Sequence, residues 1–123
     1  MILRSAIFIA AALHFGQSAM AADSGQGAAE LQKCKICHSF DKAGTNRVGP
    51  KLNGVFGREA GTEPGFNYSN AMKNSGIVWD DASLAKFLRD PRADVPGNRM
   101  SFPGIEDDAA LSDLLRQLKQ ATE

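Results

Sequence analysis

The chain has 123 residues, 43% of them hydrophobic, with 14 basic and 14 acidic side chains. That length allows one domain, and the balanced charge excludes the strongly basic field on which nucleic-acid binding rests.

The first element is a leader. Arg4 precedes an apolar run from Ala6 to Leu13, and Ala19-Met20-Ala21 is a small-x-small signal, so residues 1–21 read as a secretory signal peptide cleaved near Ala21. His14, Gly16 and Gln17 break the run well short of the ~20 apolar residues that span a bilayer. Residues 22–123 then form a single exported domain, expected in the periplasm. Removing Arg4 leaves 13 basic side chains (14 minus 1) against 14 acidic ones. At this size an apolar core is marginal by itself.

Asp23 or Ser24 is placed to cap a helix running to about Lys33. At its end stands Cys34-Lys35-Ile36-Cys37-His38, a C-x-x-C-H run of the kind that attaches a c-type haem. The two thiols can lie on one side of a helical turn and add to the porphyrin vinyl groups as thioethers, with the imidazole of His38 held beneath the iron as an axial ligand. Three other readings compete. A thioredoxin-like dithiol needs a neighbouring strand-helix-strand pattern, which the Gly-rich chain downstream lacks. A zinc site needs about four N or S ligands, and after the leader only two Cys and one His remain. A structural disulfide suits an exported protein but leaves the following His without a role.

A long loop follows, punctuated by Gly44, Gly49-Pro50, Gly54, Gly57, Gly61 and Pro64-Gly65. Such a loop is unusual unless it wraps something, and a haem would account for it. A short helix is expected over Asn70 to Asn74, then an extended Ile77-Val78-Trp79. Asp80 or Asp81 caps a helix carrying Leu84, Phe87 and Leu88 at i, i+3 and i+4, and Pro91 stops it. A second loop holds Pro96-Gly97 and Pro103-Gly104. The last helix sets Leu111, Leu114, Leu115 and Leu118 in one stripe, with Asp107 and Asp108 at its positive end. The class is all-α, with about four to five helices and long loops. Beyond the leader there are two methionines. Met100, between two turns, is placed to bring a thioether to the opposite haem face, while Met72 reads as core filling.

The ordered series Cys-x-x-Cys-His, Val48-Gly49-Pro50-x-Leu52-x-Gly54-x-Phe56-Gly57-Arg58, Pro64-Gly65-Phe66-x-Tyr68, Gly76-Ile77-x-Trp79 and Pro96-Gly97-x-x-Met100-x-Phe102 resembles the class I cytochrome c family, in particular bacterial members close to the mitochondrial type. The similarity runs from about Lys33 to Glu123. It implies a small cytochrome c fold around one covalent haem c, bound through Cys34 and Cys37 and ligated by His38 and Met100. By the same resemblance the Pro50 carbonyl accepts the imidazole N–H, Arg58, Tyr68 and Trp79 hold a buried propionate, and Phe102 shields the Met-side edge. Taken alone, Tyr68 and Trp79 would be core aromatics and Arg58 a surface charge.

Iron ligated on both faces has no open substrate site, so the resemblance implies a single-electron carrier and not an enzyme. Its partners would be a quinol-oxidising cytochrome complex or periplasmic dehydrogenase on one side and a terminal oxidase or similar acceptor on the other. They would dock at the haem edge beside Lys33, Arg47, Lys86, Arg92 and Arg99, with a merely solvated surface as the alternative. A monomer is expected. A haem enzyme or gas sensor would need a displaceable sixth ligand, and a private subunit of one redox enzyme is the other alternative.

Four positions depart from the family pattern. Phe87 and Met72 replace a Tyr and an Asn, which implies a drier Met-side pocket and a raised potential. Glu30 and Gln117 replace aromatics where the terminal helices meet, so a weak contact is expected there. A one-residue slip would bring Gly27 and Leu31 into the Gly-x-x-x-apolar spacing, at the expense of helix phase.

Overall fold

The computed structural model describes residues 25–123. The leader, the cleavage near Ala21 and the candidate caps Asp23 and Ser24 lie outside the described residues. Among the described residues there are five helices: α1 (Gln26–Cys37), α2 (Asn70–Lys73), α3 (Asp81–Arg89), α4 (Pro91–Asp94) and α5 (Asp108–Thr122). Among the described residues the only β pairing is one bridge between Glu59 and Val78. The all-α architecture is as expected.

Helix α1 runs further than its sequence suggests. It ends at Cys37, not near Lys33, so both cysteines sit inside its last turns, and the extended His38 closes it by donating its N–H to the Cys34 carbonyl at 2.9 Å. Its N-cap is Gly25 in a left-handed conformation, φ 64°, with no side-chain cap. The carboxylate of Asp113 on α5 takes up the Gly27 N–H instead, one of the donors a helix start leaves without an internal partner.

Helix α3 starts on a reciprocal capping box. Asp80 accepts from the Ser83 N–H at 2.7 Å, and Ser83 Oγ receives the Asp80 N–H at 2.8 Å. Pro91 stops α3 and also begins α4, an element absent from the sequence reading. A proline at the first helical position loses no internal hydrogen bond, and the Asp90 side chain caps it through the Ala93 N–H. Helix α5 is capped by Asp107, which accepts from the Ala110 N–H at 2.7 Å.

The core gathers Leu31 of α1, Leu84, Phe87 and Leu88 of α3, and Leu111, Leu114 and Leu118 of α5 around Val55, Trp79 and Ile105. Leu115 is half-buried at its margin. The weak contact expected between the terminal helices is corrected by the structure, in which α1 lies directly on α5. A Cβ on Gly27 would stand 2.6 Å from the Leu114 backbone nitrogen, so only glycine permits this approach. The register is the slipped one, and it loses no phase: Gly27, Leu31 and Cys34 fall at i, i+4 and i+7 and share a face. Glu30, half-buried, pairs with the exposed Lys33 at 2.8 Å, and Gln117 donates to Asp113 at 2.8 Å.

The long loop is tied down by backbone bonds to the extended 77–79 segment. Gly57 donates to the Trp79 carbonyl at 2.7 Å, Trp79 to Arg58 at 2.9 Å, and Ala60 to Ile77 at 2.7 Å. These contacts hold Arg58 and Trp79 side by side. No helix of the described residues is long and apolar enough to cross a membrane.

Candidate functional site

Between α1, α3 and the two loops lies a mainly apolar cavity of about 430 Å³, a size typical of small-molecule and cofactor sites. Helix α1 supplies Cys34 and Cys37 to its wall, with His38 beside them. Both thiols are free. Burial, with the negative charge of Glu30 adding to it, pushes the Cys34 thiol up to about 11. That is the opposite of the lowered value an active redox dithiol needs.

His38 is oriented by its surroundings. Its Nδ1 lies 2.6 Å from the Pro50 carbonyl oxygen. Burial holds its pKa below the ordinary value, and the nearby charges of Arg58 and Arg47 act the same way against the Pro50 hydrogen bond. The neutral ring therefore donates Nδ1–H to Pro50 and keeps a lone pair on Nε2, the arrangement a metal-ligating imidazole requires. Gly49 makes room for it, since a Cβ there would stand 2.6 Å from Nδ1.

Met100 and Phe102 line the same cavity from the second loop. Their loop is braced by Asn98, which the sequence reading passed over. Its Nδ2 donates to the carbonyls of Pro91 at 2.7 Å and Val95 at 2.9 Å, and its Oδ1 accepts the Met100 N–H at 2.9 Å. The one available signal was an Asn directly after Pro96-Gly97, a residue type that bonds local backbone in turns.

Arg58, Tyr68 and Trp79 complete the lining. Trp79 is buried and packs tilted on Phe87, ring centres 5.1 Å apart. Burial raises the pKa of Tyr68 against its hydrogen bond from Glu63 and the Arg58 charge. Met72, read from sequence as core filling, lines the cavity together with Phe87. A second residue the sequence reading missed is Glu63, whose carboxylate meets the Arg58 guanidinium at 2.7 Å. An acidic residue beside a Pro-Gly turn carries no signal of such a partner.

All nine residues singled out from the sequence thus surround one cavity. Of the five basic residues expected at its edge, Arg99 lines it, while Lys33, Arg47, Lys86 and Arg92 are exposed outside it. Lys33 pairs with Glu30 at 2.8 Å and Lys86 with Asp94 at 2.9 Å. Arg47 donates to the Lys35 carbonyl at 2.9 Å and Arg99 to that of Asn67 at 2.8 Å. Two thiols, a neutral imidazole, a thioether, a guanidinium and a phenol around one mainly apolar cavity fit a haem c in donor chemistry.

An all-helical fold wrapped around such a cavity defines a small haem-binding cytochrome. No family model matches the chain. It is 45% identical over 102 residues to cytochrome c2 from Blastochloris viridis, covering 83% of this chain and 80% of that protein. It is 48% identical over 98 residues to a cytochrome c2 from Rhodoplanes tepidamans, covering 80% and 92%. Among solved structures, cytochrome cH from Methylobacterium extorquens superposes with a TM-score of 0.71 at 43% identity, over 80% of this chain and 98% of that one. The chain belongs to the class I cytochrome c family, whose members carry electrons on a haem and are not enzymes.

Proposed function

We propose that residues 22–123, exported by the leader 1–21, act as a soluble periplasmic carrier that takes single electrons from a quinol-oxidising cytochrome complex or a periplasmic dehydrogenase. It passes them to a terminal oxidase or similar acceptor. The observation that carries this reading is that Cys34, Cys37, His38 and Met100, drawn from one helix and one distant loop, line a single cavity. Cys34 and Cys37 would hold the haem as thioethers, and His38 and Met100 would ligate its iron. When bound, the haem supplies a reversible one-electron couple.

The chain's own residues prepare the site for that couple. Pro50 fixes the imidazole and its tautomer. Asn98 fixes the loop that carries the thioether, and a ligand set held this rigidly changes little between charge states. The apolar lining keeps water out, while Tyr68, Trp79 and Arg58 offer donors to a propionate.

Docking takes place at the cavity mouth, with the chain as a monomer. Lys33, Arg47, Lys86, Arg92 and Arg99 steer an acidic partner surface, although Glu30 and Asp94 offset two of these charges. Transfer therefore slows as ionic strength rises, but only modestly. Salt-independent rates would leave these side chains a solvated surface.

Purified native protein tests the whole reading. Mass spectrometry should find one porphyrin added to the polypeptide, and the oxidised protein should show the near-infrared band of Met-to-ferric-iron charge transfer at neutral pH. Bare thiols would reject haem attachment. A missing band with haem present would favour a sensor or enzyme with an open sixth position.

A further inference from the structure

Two groups expected to hold a propionate are both tied to one acidic residue. Glu63 Oε2 meets Arg58 Nη1 at 2.7 Å, with the side chains only 12% and 16% exposed. The Glu63 N–H donates to the Tyr68 hydroxyl oxygen at 3.2 Å. Glu63 itself does not line the cavity, whereas Arg58 and Tyr68 do.

The donors of Arg58 can be assigned one by one. Nη1 serves Glu63 and, at 3.3 Å, the Asn53 carbonyl, while Nη2 serves the Lys51 carbonyl at 2.9 Å. These contacts use three of its five N–H donors, and Arg58, with two donors remaining, lines the cavity. Because the Tyr68 oxygen already accepts from Glu63, its own proton is available as a donor. A carboxylate entering the cavity would therefore find oriented N–H and O–H groups, but not an uncompensated cation. The charge of Arg58 is matched before any ligand arrives. A charge so little exposed to solvent is weakly screened, and its field extends into the cavity.

We propose that Glu63 is a positioning residue that sets the electrostatic balance of the haem site. It holds Arg58 and Tyr68 in their donor orientations and lowers the reduction potential by cancelling the Arg58 charge. This rests on the electron-carrier reading above. Reduction brings one electron from a donor protein and makes the site more negative by one unit, a change that a nearby carboxylate opposes. No proton has to move for this to hold.

The test is an optical redox titration of the purified holoprotein and its variants. Glu63→Gln keeps the shape and an acceptor for Arg58 but removes the charge. It should raise the potential, increasing the reduced-to-oxidised ratio at a fixed applied potential roughly threefold, about half of the 59 mV that a tenfold change represents for one electron. Glu63→Asp, which keeps the charge, should stay near the wild-type value. Should Glu63→Gln fail to mature, Arg58→Gln alone and the Arg58→Gln/Glu63→Gln double variant ask the same question. The single change should lower the potential and the double change should recover most of the loss. A Glu63→Gln potential at or below wild type, or a double variant no different from Arg58→Gln, overturns the proposal. A wild-type protein with no haem spectrum overturns the carrier reading instead.

Discussion

His38 and Pro50 are joined by a 2.6 Å contact between the imidazole Nδ1 and the carbonyl oxygen, and Gly49, between them in the loop, lies against the ring face. A Cβ at Gly49 would sit 2.6 Å from Nδ1, so Gly49→Ala must push the imidazole away from its acceptor. Overpacking of this kind costs ~1–3 kcal/mol. Denaturant unfolding of the holoprotein should show a loss of that order, with weakened ligand-field bands. An unchanged midpoint would mean that the ring moves freely.

Asn98 holds Met100 by three hydrogen bonds to its own loop and to Pro91. Asn98→Ala removes all three bonds; the carbonyls of Pro91 and Val95 keep backbone donors in the Val95 and Asn98 N–H groups, whereas the Met100 N–H loses its acceptor, at a cost of ~1–3 kcal/mol. Added imidazole should then displace the thioether at lower concentration than in wild type. Equal imidazole affinities would show that the loop is held by other contacts.

Gly27→Ala places a methyl group against the Leu114 backbone and should force α1 away from α5. We expect a loss of roughly 1–3 kcal/mol. In the wild type, amides of α1 should exchange as slowly as those of α5. Early exchange in α1 alone would restore the weak contact that the sequence suggests.

Phe87 and Met72 both line the cavity, where the resemblance implies a Tyr and an Asn. Apolar walls disfavour the extra positive charge of the oxidised site. Phe87→Tyr combined with Met72→Asn should lower the reduction potential. Titration giving an unchanged or higher value would reject the dry-pocket account.

Tyr68 is the chain's single tyrosine, and burial raises its pKa. The folded state therefore keeps the phenol proton to higher pH than the unfolded chain, whose tyrosine ionises near 10. Its contribution is fully present below that value and is lost as pH rises from about 10 through the folded pKa. Stability curves of wild type and Tyr68→Phe should differ in slope only in that alkaline range. Parallel curves there would show that the phenol ionises equally in both states.

The candidate attachment site was legible because its residues are contiguous. Cys34 and Cys37 stand in the last turns of α1, and His38 follows directly as its extended C-cap. The helices α3 and α5 followed from local periodicity and from Asp80 and Asp107, whose caps form with residues three positions away. Met100 could be singled out from its turn-flanked loop and the family series, without knowing that the loop would pack against this cavity.

Other features depend on residues brought together only by folding. The closeness of α1 and α5 rests on Gly27 meeting Leu114, and no one-dimensional pattern shows that a missing side chain opposes a backbone far along the chain. Helix α4 was hidden because Pro91 ends one helix and starts the next, two roles that look identical until the direction of the chain is known. Glu63 and Arg58 are close in sequence, but an irregular loop has no period, so their meeting inside the fold could not be counted out in advance. The C-x-x-C-H motif is a local property of the chain, whereas the field inside the cavity comes from through-space distances that exist only once the loops have closed.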